Sequence, residues 1–142
     1  MQLSEELARA FTSMGQLVHE LQGDLPRADF MVLVRLSGRE CTRSRDLAKA
    51  EGLDPSTMSR RLASLTERGY IERAPDPQDG RAQILALTDA GREAVSLERS
   101  RRVTLVTDAL VDWPDDDRAE LARLLSRLTD TIESQRQARR TR

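Results

Sequence analysis

Residues 54–68 read DPSTMSRRLASLTER, and Ser56, Thr57, Ser59, Arg60 and Arg61 place three hydroxyls and two guanidiniums within six positions. A hydroxyl both donates and accepts hydrogen bonds. An arginine fork pairs bidentately with the guanine edge or with phosphate. At the helical period, Met58, Leu62 and Leu65 share one side. Ser56, Arg60, Ala63 and Ser64 lie opposite, with Thr57 and Ser59 flanking them. Such a face, small and polar around one arginine, enters a groove about 12 Å wide without clashing. The free N–H groups at its N-terminus favour phosphate. A solvated bundle helix has the same composition, so the surrounding elements must decide. Arg61 lies near the apolar edge of the wheel. Two roles stay open for it: snorkelling to a backbone phosphate, or an ion pair with a nearby acid.

A second cluster stands at 75–83, PDPQDGRAQ. Asp-Gly alone would make a hairpin turn. Here two prolines stiffen the approach, Gly80 permits a tight turn, and Asp79 precedes Arg81 by two residues. The spacing predicts that Asp79 accepts hydrogen bonds from the Arg81 guanidinium and holds it extended. An arginine so held fits a narrow, electronegative minor groove. The bland alternative is a turn-stabilising ion pair of little energetic consequence.

The elements that would carry these groups follow from periodicity and punctuation. Residues 3–22 have apolar side chains at spacings of three and four, one face of a long helix ended by Gly23-Asp24 and Pro26. A shorter, more apolar helix covers 27–37. Ser44 is the expected N-cap of a third helix, with Gly52 just past its end. The fourth starts at Asp54 as N-cap with Pro55 at N1, and Gly69 takes its C-terminal turn. YIER and ILALT read as strands on either side of the 75–83 tip. Thr88 caps a fifth helix over 89–112, and a sixth carries Leu121, Leu124, Leu125, Leu128 and Ile132. The arginine-rich end, QRQARRTR, is expected to fray. This order is mainly α with a small β-hairpin wing: a winged helix-turn-helix at 36–90, flanked by helical regions at 1–35 and 91–142, in one domain of 142 residues. Long amphipathic helices bury little by themselves, so the flanks are expected to pair with a second copy.

Composition narrows the rest. Charged residues are 33% and hydrophobic ones 38%, with no apolar run long enough for a membrane span. Neither a basic start nor an apolar stretch marks a secretion signal, and one cysteine fits a reducing cytoplasm. The net charge of −1 is unevenly spread: residues 35–61 hold seven basic and four acidic groups, whereas 108–120 hold six acids against Arg118. Cys41, between Arg39 and Arg43 but beside Glu40, reads as a small residue before the third helix rather than a sensing thiol. His19 stands alone, so neither a metal site nor a cofactor is expected. Met14, His19, Phe30, Met31 and Val34 are loose candidates for an apolar effector pocket, and each taken singly reads better as core or dimer contact. Trp113-Pro114 reads as an anchor between the fifth and sixth helices. No nucleophile–base pair, phosphate loop or metal cluster suggests an enzyme.

From about 44 to 91 the chain resembles a MarR-type regulator, in DLAKAEGLDPSTMSRRLASLTERGYIER, DPQDGR and LTDAG, in that order and spacing. The resemblance implies an obligate homodimer with both termini in the interface. It implies a pseudo-palindromic double-stranded DNA operator, with helix 55–68 in the major groove and wing 75–83 in the minor groove. For many members it implies release by small phenolic or lipophilic effectors or by oxidation. Ser56, Thr57, Ser59 and Arg60 fall where the family reads the major groove, and Asp79 and Arg81 fall on its wing pair. Arg61 and Ser64 depart from the commonest pattern, an apolar residue and an arginine respectively. The expected function is a cytoplasmic, sequence-specific DNA-binding repressor. The alternative is a winged-helix protein-interaction module, against which the intact Arg60 and Asp79–Arg81 pair argue.

Overall fold

A computed structural model describes residues 2–20, 23, 25–39 and 42–140, the side chain of residue 140 excepted. Asp24, Glu40 and Cys41, named above, lie outside the described residues. The element order is α1 (Gln2–Glu20), α2 (Arg27–Ser37), α3 (Ser44–Glu51), α4 (Pro55–Glu67), β1 (Ile71–Pro75), β2 (Gln83–Leu87), α5 (Asp89–Ala109) and α6 (Asp115–Arg140). Two compact units result, Met1–Val103 and Thr104–Arg142.

The first unit holds the core. Val32, Leu33 and Leu36 of α2, Leu47 of α3, and Met58, Leu62 and Leu65 of α4 meet Ile71, Leu85 and Leu87 of the hairpin and Val95 of α5. Leu33, Leu47, Met58, Leu62 and Leu65 lose all solvent contact, and each such side chain contributes roughly 1.5–3 kcal/mol by leaving water. The three α4 residues assigned to the core by periodicity are thus the three that are buried. Their opposite numbers face out, which sets the orientation of α4.

The hairpin is antiparallel, with Ile71 opposite Leu87 and Pro75 opposite Gln83. The strands differ from the expected YIER and ILALT by one or two residues. Tyr70 is claimed by turns at both ends: its N–H donates to Leu65 O, and its carbonyl accepts from Thr88 N–H. The first strand therefore starts at Ile71 and runs on to Pro75, where a missing N–H is tolerated at a strand end. Gly52 closes α3 at φ 65°, a backbone region that glycine enters without strain.

Asp54 caps α4 as expected, accepting from Thr57 N–H. Thr88 likewise caps α5, its hydroxyl accepting from Gly91 N–H at 3.0 Å. The expected cap of α3 is corrected: Arg43, extended at φ −106° and ψ 143°, occupies the N-cap position, and Ser44 is already helical. The reason is a tether upstream, because Leu85 N–H donates to Thr42 O at 2.7 Å and keeps 42–43 alongside β2. α5 stops at Ala109, earlier than expected, and α6 stays helical through Arg140, where fraying was expected.

Candidate nucleic-acid interface

The exposed face of α4 begins at its cap. Asp54 Oδ1 accepts from the Ser56 hydroxyl at 2.5 Å and from Thr57 N–H at 2.9 Å; Oδ2 accepts from the Thr57 hydroxyl at 2.8 Å. These donors, the Ser56 hydroxyl first, hold the Asp54 carboxyl well below the usual carboxylate range. Two consequences follow for the face read from sequence. The N–H of Thr57 is already taken, and a carboxylate sits at the helix N-terminus, so this end is not the open anion site expected. The Ser56 and Thr57 hydroxyls donate to Asp54, which leaves their oxygens free only to accept.

Ser59, Arg60, Ala63 and Ser64 are exposed. Among the described residues Arg60 forms no ion pair, leaving its five donors open to a ligand. Arg61 takes the second of the two roles left open for it. Its Nη1 donates to Asp29 Oδ1 of α2 at 2.7 Å, both side chains are largely covered, and its Nε is buried without a partner. Arg61 therefore braces α4 against α2 rather than projecting with Arg60.

β1 packs against α4, carrying the hairpin tip away from the core. Asp79 and Arg81 are both exposed there. Their contact differs from the expectation: Asp79 Oδ1 accepts from the backbone N–H of Arg81 at 3.1 Å, and Asp79 O accepts from Ala82 N–H. The carboxylate shapes the turn, while the Arg81 guanidinium forms no ion pair among the described residues. The wing's charged pair is elsewhere, between Arg43 Nη2 and Asp76 Oδ2 at 2.7 Å. Sequence reading missed Asp76, and weighed Arg43 only as a neighbour of Cys41. Proline on both sides of Asp76 was the available signal.

A cavity of about 260 Å³ opens in the first unit between Leu25, Tyr70 and the start of α5, with Ala94, Leu97, Glu98 and Arg101 on its wall. Glu98 is buried and paired with Arg101 and Arg102, and the Arg102 guanidinium lies 3.8 Å from the Phe30 ring centre. None of the five residues proposed from sequence for an effector pocket lines this cavity. Phe30 is core, and Met14 and His19 are exposed.

A family model described as the MarR family matches residues 25–82. The chain is similar to the HTH-type transcriptional regulator YxaD of Bacillus subtilis, 29% identical over 106 residues, which are 75% of this chain and 74% of that one. Matches to other regulators span about half of the relative. Among solved structures, transcriptional regulator Tm0710 of Thermotoga maritima superposes with a TM-score of 0.76 at 23% identity, over 94% of this chain and 96% of that one. The Multiple Antibiotic Resistance Repressor, MarR, does so at 0.75 and 24% identity, over 90% and 95%. At these identities the superpositions speak to the fold, a winged helix-turn-helix with a two-stranded wing.

Proposed function

We propose that the chain is a MarR-type transcriptional regulator, a repressor that binds a pseudo-palindromic DNA operator as a homodimer; the MarR family model that matches residues 25–82 supports this reading. The observation that carries the reading is the exposure of two arginines whose guanidiniums form no ion pair among the described residues, Arg60 on the outer face of α4 and Arg81 on the wing tip. Open guanidiniums on two adjoining elements suit guanine in a major groove and the adjacent minor groove. Ser59 joins Arg60 on that face, with Ser56 and Thr57 as acceptors. Arg61 and Asp79 serve by bracing and by shaping the turn. The solved repressor of similar fold supports repression as the mode of action. The cavity beside Glu98 is a suitable seat for a small effector whose binding releases DNA.

A salt series of affinity tests the reading, comparing DNA upstream of the protein's own gene with a scrambled duplex of equal length. The expected result is a preference of about 10³ or more for the native fragment. Steep salt dependence is expected on both duplexes, because arginine–phosphate contacts release counterions. Weak, equal binding to both, repeated across sequences recovered by unbiased selection, would refute sequence-specific recognition and favour a protein-interaction module.

A further inference from the structure

We propose that Arg43 and Asp76 are positioning residues for DNA recognition, a brace that fixes the wing against the helix-turn-helix so that Arg81 meets the minor groove. The proposal rests on the reading that the wing touches DNA.

A two-stranded hairpin is at best marginally stable by itself. Its tip therefore needs support if it is to present an arginine in one place. Among the described residues the Arg81 guanidinium has no charged partner, because Asp79 is spent on backbone N–H. Support comes instead from the base of the tip. Asp76 N–H donates to Ala82 O at 3.0 Å and closes the loop. Its carboxylate accepts from Gln78 N–H at 2.9 Å and from Arg43 Nη2 at 2.7 Å. The Asp76 side chain is only 11% exposed, although Pro77 through Arg81 are open to solvent.

Arg43 is well placed to anchor that carboxylate. It holds the N-cap position of α3, the helix that packs on α4, and its neighbour Thr42 accepts from Leu85 N–H of β2. The wing is thus tied to the segment before α3 at two levels, one through the backbone and one through a charge pair. A continuous line of rigid parts runs from α4 through α3 and Arg43 to Asp76 and the turn that carries Arg81. Pre-organisation of this kind lowers the ordering cost on binding.

The sign of the effect separates this role from simple electrostatics. Asp76 is an acid on a loop read as facing DNA. Neutralising it should, on charge alone, leave affinity unchanged or tighten it. The brace predicts the reverse. Affinities would be measured at fixed salt on the tightest duplex recovered by selection from a random pool. Asp76→Asn keeps the acceptor for Gln78 but loses the charge pair, and is expected to weaken binding about fivefold or more, as is Arg43→Gln. Arg43→Lys, which can still pair, should recover most of that loss, and melting curves should show every variant fully folded at the assay temperature. In an Arg81→Ala background the Asp76→Asn loss should vanish, because the brace acts through Arg81. Unchanged or tighter binding by Asp76→Asn, with Arg81→Ala still weak, overturns the brace and leaves the wing reading standing. An undiminished loss in the Arg81→Ala background also overturns it. An Arg81→Ala protein with wild-type affinity removes the wing reading, and the brace with it.

Discussion

At the scale of single residues, the proposed DNA contacts rest on which arginines have partners. Arg60 and Arg61 are adjacent, yet one is open to solvent and the other is held by Asp29. The two should behave oppositely on substitution. Arg60→Ala is expected to lower the preference for operator over random DNA by about 5- to 100-fold, without shifting the melting temperature. Competition binding on the two DNAs checks this, and an equal loss on both would assign Arg60 to phosphate alone. Asp29→Ala should leave DNA discrimination intact but destabilise the fold by about 1–3 kcal/mol, because it strands a largely covered guanidinium. Urea unfolding of the variant measures that cost. The contrast also shows what sequence can carry. That Met58, Leu62 and Leu65 point inward, and hence that Arg60 points outward, was legible because a helix repeats every 3.6 residues. The partners of Arg61 and Arg43 were not. Asp29 and Asp76 lie 32 and 33 residues away, at distances no local period encodes.

At the scale of elements, the start of α4 and the start of α5 are each fixed by a small number of hydrogen bonds. Asp54 starts α4 and its carboxyl is held below the usual carboxylate range. A carboxyl depressed in the folded state stabilises the fold above its unfolded value of about 3.9, and that contribution is lost as pH falls through the lower folded value. The melting-temperature gap between wild type and Asp54→Ala should therefore stay level from neutral pH down to about pH 4 and close as acid is added below it. Thermal melts across that range test the sign; a gap that widened in acid would contradict the cap. Gly91 stands in the first turn of α5. A Cβ there would lie 2.1 Å from the Tyr70 carbonyl oxygen, which is already accepting from Thr88 N–H. Gly91→Ala must push α5 off the wing and should cost about 1–3 kcal/mol. The LTDAG segment shows in sequence as a capped helix start, but the close approach that requires glycine there appears only in three dimensions.

At the scale of the whole molecule, the question is what covers the apolar surface that each unit leaves open. In the first unit no side chain of α1 is buried, and Phe11 is 63% exposed. In the second, Trp113, Leu124, Leu125 and Ile132 are each about half exposed, with Leu125 and Ile132 two helical turns apart on α6. No helix among the described residues is long and apolar enough to cross a membrane. A pattern of spacing three and four, kept over helices of this length, has no use on a solvated face. A second copy is the simplest cover, and it makes a prediction that exposure alone would not. If these side chains stayed in water, replacing them would change stability by no more than about 0.5 kcal/mol. If they are buried between protomers, Leu125→Glu with Ile132→Glu should lower the melting temperature, make it fall further on dilution, and produce a lighter species in sedimentation velocity. The same double variant should lose affinity for a two-fold operator far more than for an isolated half-site, because only the dimer spans both halves with its two α4 helices. An unchanged sedimentation coefficient and melting temperature would show that the apolar stripe on α6 faces solvent, and would oblige the second unit to dimerise through other residues or not at all.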